Sequence, residues 1–266
     1  MSAKRPHLVL TNDDGINAPG LYSLWRALVH YADITIVAPL MNQSGKGLSI
    51  TTDRPLHITQ KTWEQNTLAY QVDGTPTDCI KLALSVLLPA YPDMIVSGIN
   101  LGSNSGRNVL YSGTVGGVIE GAMRDIPGIA FSCDNLDHPQ FEYTEPFIYP
   151  FVRYLLENPL QDGSFLNVTF PNPGEPIHGV RLAQQGLGYW EEMPEERSHP
   201  SNNYRYFWLG GTWRGCEEHK ESDVELLKQG YITAVPLRVH QLTDHVHWET
   251  HKTQFDAWFD NVIQKR

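Results

Sequence analysis

The apolar residues of this 266-residue chain come first in short β-branched runs separated by stretches of helical period. After Phe170 that alternation breaks down. His7 to Leu10 reads as a strand, and Pro19 to Tyr31 as a helix with Leu21, Leu24, Trp25 and Leu28 at i, i+3, i+4 and i+7. Asp33 to Val37 is a second strand, ended by Ala38-Pro39, so the three form a βαβ unit with parallel pairing and a right-handed crossover. Leu56 to Thr59 and Leu68 to Val72 are two further strands with no helix between them. Thr75 at N-cap, Pro76 at N1 and Asp78 at N3 open a helix that runs to about Leu88. A strand from Met94 to Ser97, a long loop from Gly98 to Ser112, a helix from Val115 to Met123 and a strand from Ile126 to Ser132 follow. A helix from Tyr143 to Leu156 and a strand from Phe165 to Phe170, closed by Pro171-Asn172-Pro173, complete this part.

Residues 174–220 are rich in Gly, Trp, Tyr and Glu, which predicts short antiparallel strands and extended arms. Asp223 to Gln229 is a short helix, Tyr231 to Val239 a strand, and Thr253 to Gln264 an amphipathic helix with Phe255, Trp258, Phe259 and Val262 on one face. The pattern predicts an α/β fold with a mainly parallel sheet. Its core is residues 1–173, and residues 174–266 form a β-rich and helical segment completing the same domain.

Candidate chemistry gathers at strand ends, where ligands of open α/β sheets bind. The first strand ends in Asn12-Asp13-Asp14-Gly15. Adjacent carboxylates raise one another's pKa unless a positive charge lies between them, and a divalent cation is the simplest one. The second strand leads to Gln43-Ser44-Gly45, and the Met94 strand to Ser97-Gly98-Ile99-Asn100. Asp13, Asp14, Ser44 and Asn100 make an all-oxygen set suited to Mg²⁺ or Mn²⁺, with no histidine or thiolate to favour zinc. Asp-Asp-Gly alone reads equally well as a surface turn.

Ser112-Gly113-Thr114 precedes a helix, and a helix N-terminus binds anions. A phosphate is therefore expected there, bound by Asn104, Ser112, Gly113 and Thr114, although Thr114 also reads as a plain N-cap. Arg107 and Lys46 are loop cations with solvation as their default state, and Asp78 is most simply a capping acid. His245, His247, Glu249 and His251 would share one face of an extended arm, better read as packing on a partner than as a metal site.

Net charge of −10 argues against coating a nucleic-acid polymer but leaves a small phosphorylated substrate open, because a bound cation reverses the local sign. Three widely spaced cysteines fit neither a zinc knuckle nor a disulfide framework, and point to a reducing, cytoplasmic setting with Cys79 and Cys133 as packing residues. The N-terminal stretch is too short for a signal peptide, and no apolar run is long enough for a membrane span. A receiver module, with Asp73 as phospho-acceptor, and a non-catalytic nucleotide-binding protein are the rival readings.

Five stretches carry a resemblance: Leu10 to Gly15 with Ala18-Pro19-Gly20; Ala38-Pro39 with Ser44-Gly45; Gly74 to Pro76 with Asp78-Cys79; Val96 to Asn100 with Gly102, Asn104 and Gly106; and Tyr111 to Val115. In this order they resemble the SurE family of stationary-phase survival proteins. Leu166 to Val168 with Phe170-Pro171, and Gly230-Tyr231 leading into Pro236-Leu237, resemble its weaker downstream markers. The resemblance implies a Rossmann-like three-layer sandwich, with C-terminal arms and a terminal helix exchanged in a homodimer or homotetramer. It implies a phosphatase acting on nucleoside 5′- and 3′-monophosphates and on short polyphosphate. One divalent ion per subunit would be held by Asp13, Asp14, Ser44 and Asn100; the residues themselves make Asp13 and Asp14 the catalytic candidates, either one orienting the attacking water, with ligand and base roles not separable in the sequence. Tyr231 to Leu237 departs from the family's usual pattern there.

Overall fold

The computed structural model describes residues 5–135, 140–172, 174 and 176–264. The N-terminal residues 1–4 and the strand-closing Pro173 of the sequence reading lie outside them. The chain begins with β1 (His7–Thr11), α1 (Pro19–Leu28), β2 (Asp33–Pro39), β3 (Ile58–Lys61), β4 (Leu68–Val72) and α2 (Pro76–Leu82). Next come β5 (Met94–Leu101), α3 (Gly113–Ala122), β6 (Gly128–Cys133), α4 (Glu145–Glu157) and β7 (Ser164–Phe170). The C-terminal part holds β8 (Gly179–Leu182), β9 (Tyr189–Glu191), β10 (Glu195–Ser198), β11 (Arg205–Trp208) and β12 (Thr212–Arg214). It closes with α5 (Asp223–Lys228), β13 (Tyr231–Arg238) and α6 (His245–Gln264).

One nine-stranded sheet runs in the order β3-β4-β2-β1-β5-β6-β7-β13-β8. The stretch from β4 to β7 is parallel throughout. β3 and β13 run antiparallel to their neighbours β4 and β7, and β8 pairs parallel with β13. Side chains alternate across it, as strand geometry requires. Leu8, Leu10, Ile36 and Phe131 pack under α1 and α4, while Val9, Val37, Ile95 and Ala130 pack under α2 and α3. The result is a three-layer α/β sandwich. The α1 stripe of Leu21, Leu24, Trp25 and Leu28 is buried as its period predicts, each residue worth about 1.5–3 kcal/mol of transfer free energy. Cys79 and Cys133 are buried free thiols inside the two cores.

Successive strands leave β1 in opposite directions, to β2 on one side and to β5 on the other. This is the topological switch point, and the crevice at its carboxyl end is where the candidate residues converge. The capping box of α2 forms as expected: Thr75 accepts from the Asp78 N–H and Asp78 accepts from the Thr75 N–H. Asp78 does more than cap. Its carboxylate also accepts from the Thr51 N–H and hydroxyl, at 3.0 and 2.7 Å, and so ties down the preceding loop.

Three elements differ from their sequence reading, the first being β8, expected among short antiparallel strands, which instead joins the sheet parallel to β13. β5 does not end at Ser97 but continues to Leu101, with a register shift against β6 between Ser97 and Asn100. A bulge of this kind carries a strand past small residues that read as loop. The C-terminal helix starts at His245 rather than Thr253, so the extended arm expected at His245 to His251 is helical. Asp244 accepts from the His247 N–H at 2.9 Å and acts as its cap. Helical period scatters the four would-be ligands around the axis, leaving the His247 and His251 rings stacked 4.2 Å apart. Among the described residues no group of three or more His, Cys, Asp or Glu side chains is placed to hold a metal.

Candidate active site

β1 delivers Asn12, Asp13 and Asp14 to the crevice, and Gly15 turns the chain away at φ +104°, a conformation that favours glycine. The Asn12 side chain locks that turn by donating to the Gly15 carbonyl at 2.9 Å. Asp13 is 2% exposed and its carboxylate lies over the N-terminus of α3. The Thr114 hydroxyl donates to it, and the N–H groups of Gly113 and Thr114 face it. Gly113 makes this approach feasible: a Cβ there would lie 2.8 Å from the Cβ of Asp13. Burial nevertheless raises the Asp13 pKa.

Asp14 is less buried, accepting weakly from the Leu101 N–H at 3.3 Å and the Asn42 amide at 3.4 Å. Burial, and then the neighbouring Asp13 charge, push its pKa up to about 6. Among the described residues no cation stands beside either carboxylate.

Ser44 sits exposed on the loop after β2. Asn42 joins that loop to the acid pair: its Oδ1 accepts from the Ser44 N–H at 2.7 Å, and its amide reaches Asp14. The loop also rests on α3, where a Cβ at Gly116 would fall 2.4 Å from the Gly47 carbonyl oxygen. Asn100, on β5, spends its Nδ2 on the Gly102 carbonyl at 2.7 Å, which leaves the amide oxygen as an acceptor. Asn104 donates to Ser132 at 2.7 Å, and Ser112, rather than Thr114, is the N-cap of α3.

Asp13, Ser44, Asn100, Asn104 and Ser112 line one cleft of about 540 Å³. Asp14 lines an adjoining groove of about 360 Å³ with Gly15, Leu101 and Phe141. Thr114 is fully buried and lines neither, its hydroxyl being committed to Asp13. Lys46 remains exposed, and Arg107 lies 5.8 Å above the Tyr189 ring. Asp73 is occupied with Arg54 and His57 at 3.0 and 3.1 Å, away from the acid pair expected of a receiver module.

The far wall of the cleft carries Trp190, Trp213 and Lys228, which pattern reading along the chain did not select. It is fastened by Asp223, a buried carboxylate raised in pKa by burial, which accepts from the N–H groups of Gly186 and Gly106 at 2.8 and 3.0 Å. The Arg107 backbone N–H donates to the Gly188 carbonyl at 2.9 Å, and the Trp190 backbone N–H to the Asn108 Oδ1 at 3.3 Å. The tryptophan-rich composition of 174–220 was the only signal for this wall in the sequence.

The donor set fits a divalent cation. Two adjacent, largely buried carboxylates without a positive neighbour are costly as anions, and a hard cation among oxygen donors removes that cost. Asp13, Asp14, the Asn100 amide oxygen and Ser44 would hold it.

The model of the family described as Survival protein SurE matches residues 8–192. The chain belongs to the SurE family. A 5′-nucleotidase SurE of Protochlamydia amoebophila is 47% identical over 97% of this chain and 99% of its own. A 5′-nucleotidase SurE of Chlorobaculum tepidum is 36% identical over 98% of each. The crystal structure of the SurE protein from Aquifex aeolicus superimposes with a TM-score of 0.79 at 31% identity, over 94% of this chain and 99% of that one. All four candidate ion ligands and both Trp190 and Asn108 lie inside the part matched to the SurE model, whereas Trp213 and Lys228 lie beyond it.

Proposed function

We propose that this chain is a divalent-metal-dependent phosphomonoesterase that releases phosphate from nucleoside 5′- and 3′-monophosphates, with short-chain polyphosphate as a further substrate. The observation that carries the reading is the uncompensated Asp13–Asp14 pair beside a cleft at the N-terminus of α3. Relatives of nearly full length bear the name 5′-nucleotidase. One Mg²⁺ or Mn²⁺ per subunit would be held by Asp13, Asp14, Ser44 and Asn100. When bound, such an ion polarises a phosphoryl oxygen and makes an attached water more acidic.

The chain's own residues supply the remainder. Ser112 and Asn104, which line the cleft, bind the equatorial oxygens by hydrogen bonding, which is worth most where charge develops in a site shielded from water, while Gly113, whose N–H faces Asp13, holds that carboxylate instead. Thr114 acts at one remove, fixing the Asp13 carboxylate with its hydroxyl. Asp13 or Asp14 orients the attacking water through an oxygen not spent on the ion. The exposed apolar face of α6, with Phe255 and Trp258 more than half exposed at 61% and 68%, supports a homodimer or homotetramer. Sedimentation of the whole chain reads this directly, with a monomer as the contrary result. The free thiols and the absence, among the described residues, of a helix able to cross a membrane accord with the cytoplasmic setting we infer.

The test is phosphate release by metal-stripped protein from a panel of 5′- and 3′-monophosphates and tripolyphosphate, with Mg²⁺ or Mn²⁺ restored. Release that appears only with the ion is expected. Metal-dependent nucleotide binding with no release under any ion overturns the enzyme reading and leaves a binding protein.

A further inference from the structure

We infer that Asn42 is a positioning residue of the ion site. It holds Ser44 and Asp14 in one arrangement before a cation arrives, and so sets how tightly the ion binds. This role rests on the phosphomonoesterase reading, which supplies the cation.

Ser44 comes from a span with little support of its own. The loop after β2 is tied to the acid pair at Gln43, whose backbone N–H donates to the Asp13 carbonyl at 2.7 Å. It is tied again at Gly47, whose N–H donates at 3.0 Å to the carbonyl of Tyr111, just before α3. Between the two ties lie Ser44, Gly45 and Lys46, all exposed. Gly45 sits at φ +75°, and a Cβ there would meet nothing within 4 Å, so packing does not fix this span. The Ser44 N–H is held instead by Asn42, donating to its Oδ1 at 2.7 Å.

An asparagine bonded to the N–H two residues on is an ordinary turn device. Here the turn presents a candidate ligand, and the same amide faces a second one: Asn42 Nδ2 lies 3.4 Å from Asp14 Oδ1. Both contacts demand one orientation of the amide. The Ser44 N–H can only donate and an ionised Asp14 can only accept, so Oδ1 faces the serine and Nδ2 the acid. One side chain thus connects the turn after β1 to the loop after β2. The serine contact is short and the acid contact long, so Asn42 acts mainly through Ser44. Groups that orient metal ligands carry about 10–100-fold in metal affinity. The cause here is preorganisation: without Asn42 the ion must itself order Ser44 across a flexible glycine, and that cost weakens binding.

The experiment is a double-mutant cycle on the metal-stripped full chain, using wild type, Asn42→Ala, Ser44→Ala and the double variant. It reads the Mn²⁺ dissociation constant by calorimetry and the metal-free melting temperature. Asn42→Ala is expected to weaken Mn²⁺ by about 10-fold. Once Ser44→Ala has removed the hydroxyl, adding Asn42→Ala should cost little more, so the two losses do not multiply. The four melting temperatures should agree, since both positions are exposed loop. Unchanged Mn²⁺ affinity in Asn42→Ala, or losses that multiply in full, overturns the proposal and leaves the ion site standing. A melting temperature lowered in step with affinity marks a merely structural asparagine and overturns it too. Failure of the wild type to bind Mn²⁺ is a distinct result, which removes the cation reading and the role of Asn42 with it.

Discussion

Replacing Asp13 by asparagine is expected to lower turnover of a nucleoside monophosphate by at least about 10³-fold, because stabilisation of developing charge by a bound cation is worth several kcal/mol. The fold should survive. Asparagine keeps an oxygen for the Thr114 hydroxyl to reach, and it removes a charge that burial already disfavours. The metal-free variant should therefore melt at or above the wild-type temperature. A purely structural aspartate gives the opposite pair of results, a lower melting temperature with turnover falling only as folded protein is lost. Kinetics and a thermal scan on the same preparation separate the two.

The largest effect on stability is expected at Gly20, in the first turn of α1. A Cβ added there would lie 2.0 Å from the Ile99 carbonyl oxygen and 3.0 Å from its carbon. That neighbour is backbone of a central strand, one residue before Asn100, and no rotamer change relieves the clash. α1 must lift from the sheet, losing part of the packing of Leu21, Leu24 and Trp25. Overpacking of this kind costs about 3 kcal/mol, or roughly 6–12 °C in melting temperature for a chain of this size. Gly215→Ala is the matched control, since a Cβ at Gly215 meets nothing within 4 Å. A melting temperature for Gly20→Ala equal to that of the control would falsify this picture of the α1–β5 contact.

The floor of the site was legible in the sequence because its signals are local. Two like charges after a buried run, with a glycine next, stand out whatever the remainder of the chain does. The same holds for Ser112-Gly113-Thr114 ahead of a helix. What each residue does was less legible. Thr114 is consistent in sequence with capping or with binding a phosphate. Its contact with Asp13 exists only because Gly113 lets two elements distant in sequence approach. The far wall was not legible, since Trp190 reaches the cleft through tertiary bonds from Asp223, Arg107 and Asn108. β5 was read too short because Gly98 interrupts its apolar run, and α6 was begun too late because alternating His, Val, Trp and Thr imitate a strand.

Calorimetric titration of the metal-stripped chain with Mn²⁺ tests the acid pair directly. Asp14 carries a pKa raised to about 6 in the metal-free protein, so below that pH it is protonated and neutral, and above it its carboxylate is ionised and available to the ion. The expected result near neutral pH is one ion per chain, with affinity falling as the pH drops through about 6 and binding lost in Asp13→Asn. Undiminished binding in Asp13→Asn, or no binding by the wild type at any pH where it is folded, would contradict a cation centre built on Asp13 and Asp14.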